Sequence, residues 1–170
     1  MHEIGHALMT MASGVADVIS IRVESHMIEG EPVQDGGRVH YKMRDAALPI
    51  DKDLLARIRI MLGGTAAEEV VFGSRSIGAG GYEGSDLDQA TRLAYRLVGS
   101  YGLGKWLRYQ VGADRIDGSF HPAPELRSEV DGILAREYRA TKELLTKEKT
   151  RLMRLAAELV VDRQLLIDKI

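Results

Sequence analysis

The chain opens His2-Glu3-Ile4-Gly5-His6, two histidines four residues apart with a glutamate directly after the first. On an α-helix, residues four apart share a face, so His2 and His6 can each turn one imidazole nitrogen toward a single metal ion. Glu3 stands about 100° further round the helix, within reach of a water at that ion without being a ligand itself. Zinc brings the pKa of such a water close to neutrality, and a glutamate can take its proton as it attacks a peptide carbonyl. The spacing predicts His2 and His6 as ligands and Glu3 as the catalytic base.

A catalytic zinc takes three protein ligands and leaves its fourth position for water or substrate. The sequence has no cysteine, so the third ligand is a carboxylate or another histidine. His26, His40 and His121 lie among turn-forming residues and read as ordinary loop or surface histidines. Two acidic pairs are better placed: Glu68 and Glu69 end a long apolar-periodic stretch, and Asp86 and Asp88 open the next one. Spacing alone leaves both pairs open.

The elements that must position these groups can be read from periodicity. Ile4, Ala7, Leu8 and Met11 form one helical stripe, with the two histidines on the other side of it. Ser13-Gly14 ends that helix, glycine being free to adopt the left-handed cap conformation. Residues 15–23 are rich in β-branched side chains and predict a strand; 24–37 is a turn-rich connection; 38–43 alternates as a second strand. A helix then starts with Asp51 as its cap and Leu54, Leu55, Ile58, Met61 and Leu62 as its buried stripe. Gly63-Gly64 within it costs roughly 1 kcal/mol per glycine relative to alanine. Close backbone approach to a neighbour, the histidine helix, is a physical reason to tolerate both. A third helix is expected to turn Leu87, Ala90, Ala94 and Leu97 inward. Residues 112–124 are irregular, and from Glu125 the chain is helical, with a break at 146–150 and a short terminal helix from Asp162. The fold class expected is mainly α with a small β-ribbon.

Three blocks carry a resemblance to a known family. They are His2-Glu3-Ile4-Gly5-His6-Ala7; Leu62-Gly63-Gly64-Thr65-Ala66-Ala67-Glu68-Glu69 with Phe72-Gly73; and Gly84-Ser85-Asp86-Leu87-Asp88-Gln89-Ala90-Thr91 with Leu93-Ala94. In this order they resemble the peptidase domain of the FtsH family, the ATP-dependent zinc metalloproteases. Ile133-Leu134 and the run Leu155-Ala156-Ala157-Glu158-Leu159 are similar to that family's closing helices. The resemblance covers essentially the whole chain. It implies Asp86 as the third zinc ligand and Glu68 as a group that supports the site by orienting a ligand histidine. Glu69 and Asp88 are then solvated or capping residues. Local reading agrees in one respect: Ser85 as cap with Asp88 three residues on would fix Asp86 in a first helical turn.

The chain departs from the family pattern in places. Thr65 stands where the family usually has arginine, the loop Ser74 to Glu83 is longer, and the segment after Gly102 lacks the usual sequence. These departures concern substrate handling more than zinc chemistry.

The remaining features bound the function. At 170 residues with a formal charge of −2 and both signs interspersed, the chain can bury a core of its own and carries no basic footprint for nucleic acid or anionic membrane. No apolar run has the length of a bilayer, and no signal peptide or repeat stands out. The organisation expected is a single peptidase domain over 1–170, with a zinc-binding core at 1–121 and C-terminal helices at 122–170. There is no G-x-x-x-x-G-K-[ST]. The resemblance therefore implies an ATPase module, with its ATP and magnesium, upstream of these residues. It also implies unfolded or misfolded proteins as substrates, a hexameric parent, and a cytoplasmic peptidase whose parent is anchored at the inner membrane. Because the motif opens the chain, the first helical turn is expected to fray and to weaken zinc binding at His2.

The strand around Arg38, Val39 and His40 suggests a substrate role, because proteases hold extended peptides by adding them to an exposed sheet edge. A structural hairpin is the alternative. For the whole chain, the alternative to an endopeptidase is a catalytically inactive scaffold module of the same family. An intact Glu3 argues against it, since a scaffold has no physical use for a water-activating carboxylate.

Overall fold

A computed structural model describes residues 1–23, 37–44, 48–166 and 168 of the chain. The fold is mainly helical with one small antiparallel sheet, as the sequence leads one to expect. The elements are α1 (His2–Ser13), β1 (Ala16–Val23), β2 (Gly37–Met43), α2 (Asp51–Phe72), α3 (Asp86–Tyr95), α4 (Pro124–Lys147), α5 (Lys149–Asp162) and β3 (Gln164–Leu166). Most of the connection expected at 24–37, including His26, lies outside the described residues.

The long helix α2 organises the molecule. Its Ile60, Ala66 and Ala67 enter one apolar cluster with Ile4, Leu8, Ile21, Leu152, Leu155 and Leu165. Its Leu54, Ile58 and Leu62 enter a second with Ala90, Ala94, Leu97, Leu126 and Val130. A helix buried on two sides cannot present a single stripe, so Ala56 and Ile60 are buried along with Leu54, Ile58 and Leu62, while the expected Leu55 and Met61 are only half-buried. Leu145 of α4 and residues of α5 complete the first cluster, and α4 alone adds to the second.

Gly14 caps α1 with φ 70°, as the Ser13-Gly14 pair predicts. Asp51 is not the cap of α2. Ile50 occupies that position, and the Asp53 carboxylate accepts its backbone N–H at 3.0 Å. Leu87 is also corrected: it is 44% exposed at the loop end of α3, against Gly80, while Ala90, Ala94 and Leu97 do turn inward. The break between α4 and α5 falls at Glu148.

The β-ribbon has a third strand, and the short terminal helix expected from Asp162 does not form. Arg163 takes a left-handed conformation, φ 61°, and its N–H closes α5 on Leu159 O. The chain then runs back as β3 beside β1, in the order β2-β1-β3, with Leu165 opposite Ile21. Both side chains are fully buried, which offsets the cost of an αL arginine. In the other direction β1 pairs with β2, with a bulge between Val18 and Ser20. Among the described residues, the far side of β2 has no strand beside it.

Candidate metal centre

The centre forms where the two apolar clusters meet, with α1 on one side of α2 and α3 on the other. Gly5 and Gly63 let α1 and α2 approach backbone to backbone: a Cβ at Gly63 would lie 2.7 Å from Gly5 O, and one at Gly5 would strike Gly63 O. One residue on, a Cβ at Gly64 would strike the His2 imidazole. The glycine pair is there because the histidine helix crosses it, the approach its sequence cost points to.

The crossing sets His2 and His6 with ring centroids 4.7 Å apart. Asp86, in the first turn of α3, reaches across with Oδ2 3.1 Å from Nε2 of each ring. These three side chains are only 22%, 12% and 27% exposed, so the charge they share is poorly screened by water. Among the described residues they form a group that brings three ligand atoms within 4.8 Å of one another.

The other ring nitrogens decide the chemistry of this cluster. His2 Nδ1 lies 2.9 Å from Glu68 Oε1, and His6 Nδ1 lies 2.7 Å from Ile60 O. A carboxylate and a carbonyl can only accept, so both Nδ1 atoms carry a hydrogen, and Nε2 is the atom each ring can offer to an ion. Nε2 of each ring and Asp86 Oδ2 converge on one point, where they can share a proton or, together, hold a metal ion. Two imidazoles and one carboxylate, each ring steadied from behind, are a donor set suited to zinc.

The electrostatics agree. Burial works against charge on His2, but the bonds from Asp86 and Glu68 outweigh it and raise its affinity for positive charge. Burial likewise opposes ionisation of Asp86, yet its bonds to His2 and His6 hold the carboxyl well below its ordinary range. Glu68 is also lowered: burial is overcome by hydrogen bonds from the Ser76 backbone, His2 and the Ser76 hydroxyl. Glu3 goes the other way, because burial lifts its pKa more than the neighbouring histidines lower it. A buried carboxylate with raised proton affinity beside two imidazoles is equipped to accept a proton.

Of the other expected site residues, Glu68 stands behind His2. Arg38, Val39 and His40 lie on β2, away from the three ligand atoms, though β2 begins at the centre: Gly37 packs on the Glu3 side chain, 2.8 Å from Cδ for an added Cβ. His2, expected to fray, is the first residue of α1 and is held on both nitrogens. Glu69 bonds Tyr138 at 2.6 Å and pairs with Lys142 and Arg75, tying α2 to α4. Asp88 accepts from Gly84 N–H at 2.8 Å and pairs with Arg92, one residue earlier than the expected box on Ser85, whose side chain makes no cap bond. His121 is exposed and bonded to Ser119 O. Sequence reading missed the Ile60 carbonyl, which has no side-chain signature, and Ser76, whose spacing to Glu68 is visible only once the loop is folded.

The family model described as peptidase family M41 matches residues 1–170, the whole chain. The chain is 32% identical over 169 residues to "ATP-dependent zinc metalloprotease FtsH 2" of Symbiobacterium thermophilum, covering 94% of this chain and 27% of that protein. It is 30% identical over 160 residues to the protein of the same name in a Thermoanaerobacter species, covering 94% and 29%. An Aquifex aeolicus "ATP-dependent zinc metalloprotease FtsH" is 38% identical over 103 residues, 61% of this chain and 15% of that one. The chain thus spans less than a third of the length of these relatives. Full-length agreement with the family model, on a fold with two helical histidines and a glutamate at its crossing, places the chain: it belongs to peptidase family M41, as a peptidase domain of the FtsH kind.

Proposed function

We propose that the chain is a zinc metalloendopeptidase domain that hydrolyses peptide bonds of unfolded polypeptides, with His2, His6 and Asp86 as metal ligands. The observation that carries this is the convergence of Nε2 of both rings on Asp86 Oδ2, each ring fixed from behind. When bound, zinc supplies Lewis acidity that polarises a carbonyl and eases deprotonation of water. Glu3 accepts the proton from the attacking water, and its raised affinity suits it to hold that proton until the departing amide nitrogen takes it. Glu68 and Ile60 O keep the two imidazoles in the tautomer that leaves Nε2 free for the ion.

The edge of β2 supports a substrate role for Arg38, Val39 and His40. It starts at Gly37 against Glu3 and offers a backbone ladder to an extended peptide. The names of the relatives say that those proteins are ATP-dependent. For this chain the ATPase, the ATP and magnesium it uses, a hexameric parent and a cytoplasmic setting near the inner membrane belong to the same reading. Among the described residues no helix is long and apolar enough to cross a membrane.

The test compares wild type with Glu3→Gln on a labelled unfolded polypeptide. Zinc content should be unchanged and cleavage should fall by roughly 10²–10⁴-fold, the usual worth of a positioned acid–base. Equal cleavage rejects the enzyme and leaves the scaffold. In the same assay Arg38→Glu should alter KM; an unchanged KM removes β2 from substrate binding.

A further inference from the structure

The loop between α2 and α3 touches the metal centre at both ends. At its far end it delivers Asp86. At its near end Ser76 holds Glu68 twice: its backbone N–H donates to Oε2 at 2.7 Å and its hydroxyl to Oε1 at 3.0 Å. Oε1 is the same oxygen that accepts the His2 Nδ1 hydrogen. Two donors therefore converge on one carboxylate oxygen, one from the loop and one from a ligand. The Ser76 oxygen itself accepts Gly78 N–H at 3.1 Å, which turns the chain into the short 3-10 segment Ile77–Ala79. Buried Ala79 anchors that segment.

A lone carboxylate can rotate about its last bond and offer its imidazole neighbour either oxygen, or neither. With Oε2 pinned by the backbone and Oε1 by the hydroxyl, Glu68 cannot rotate without breaking a charge-assisted bond, each roughly twice as strong as a neutral one. The Glu68 orientation sets the direction of Nδ1–H, and so the direction of the opposite Nε2 lone pair.

We propose that Ser76 is a positioning residue of the metal centre, its hydroxyl fixing Glu68 so that His2 presents Nε2 toward His6 and Asp86. This rests on the metal-centre reading above. Ser76 touches neither ion nor substrate and acts only through Glu68. Its effect is on metal affinity and ligand geometry, and the fold does not depend on its side chain, because Ser76 is on the surface and its hydroxyl is the one side-chain group that reaches Glu68.

The experiment measures zinc affinity by competition with a chromophoric chelator for wild type, Ser76→Ala, Ser76→Thr, Glu68→Gln and the Glu68→Gln/Ser76→Ala double variant. His6→Ala serves as the reference for a broken site. Ser76→Ala should bind zinc about tenfold more weakly, the low end for an outer-sphere partner. Its cobalt(II) absorption should shift, while its melting temperature in excess chelator stays at the wild-type value. Ser76→Thr should restore the affinity, since the extended backbone at Ser76, φ −83° and ψ 171°, suits a β-branched residue that keeps the hydroxyl. In the Glu68→Gln background the alanine should add nothing, as expected of residues acting in series. If wild type binds zinc and Ser76→Ala binds it equally well, or weakens it as much without Glu68, the Ser76 proposal is overturned alone. Should His6→Ala bind zinc as tightly as wild type, the metal-centre reading falls and the role of Ser76 falls with it.

Discussion

At the scale of single residues, the centre separates four acidic side chains by their surroundings. Asp86 is held ionised by two imidazoles, and Glu68 by three hydrogen-bond donors. Glu3 has no such donor among the described residues and is pushed toward its protonated form by burial. Glu69, one residue from Glu68, faces the other way into Tyr138 and Lys142. One helical step of about 100° is enough to separate a group that holds the His2 ring from one that ties two helices together. Asp86→Asn tests the assignment of the third ligand. The amide keeps the shape but loses the charge that offsets a divalent ion, so zinc affinity should drop by at least 10²-fold while the unliganded fold keeps its helicity. Calorimetric titration with zinc reads this directly; an unchanged affinity would remove Asp86 from the ligand set.

At the scale of elements, the crossing of α1 and α2 matters more than either helix. Gly5, Gly63 and Gly64 lie in helix interiors, where each costs local stability relative to alanine. The return is a backbone separation that no side chain would allow, and it stacks the His2 ring directly on Gly64. Gly64→Ala is expected to leave α2 more helical in isolation and the site worse. The methyl would displace the imidazole by about an ångström, enough to lower cleavage by roughly 10²-fold. Zinc affinity should fall alongside it, and a Gly64→Ala protein with wild-type zinc affinity would show that this contact does not set the ligand geometry.

At the scale of the whole molecule, the two apolar clusters share α2, and the metal centre bridges them from α1 to α3. The last strand, β3, closes the first cluster by placing Leu165 beside Ile21 under α1 and α5. Leu165→Ala should therefore destabilise the protein by about 2–5 kcal/mol, the range for truncating a buried leucine. The exposed neighbour Leu166, half open to solvent, should tolerate the same change within roughly 0.5 kcal/mol. Chemical denaturation of the two variants checks both; equal losses would mean that β3 does not complete the core.

What the sequence by itself determined was local. The i, i+4 spacing in the first helix put two histidines on one face, glycine marked the end of α1, β-branched residues marked β1 and alternation marked β2. These signals need only neighbours within a few residues, and the structure repeats them nearly residue for residue. The choice of Asp86 over Glu68 as the proposed third ligand was legible only through family resemblance, because the two look equally placed until the chain folds. His2 and Asp86 are 84 residues apart, and no periodicity records which helix will face which. The tertiary structure also decided β3, where burial of Leu165 overrides a helical pattern and puts Arg163 in a left-handed turn. It decided the partners behind each imidazole, one of them a main-chain carbonyl with no side-chain code at all. Local preference chooses elements at about a kcal/mol per residue; burial and convergence of charge, worth several, choose how they meet.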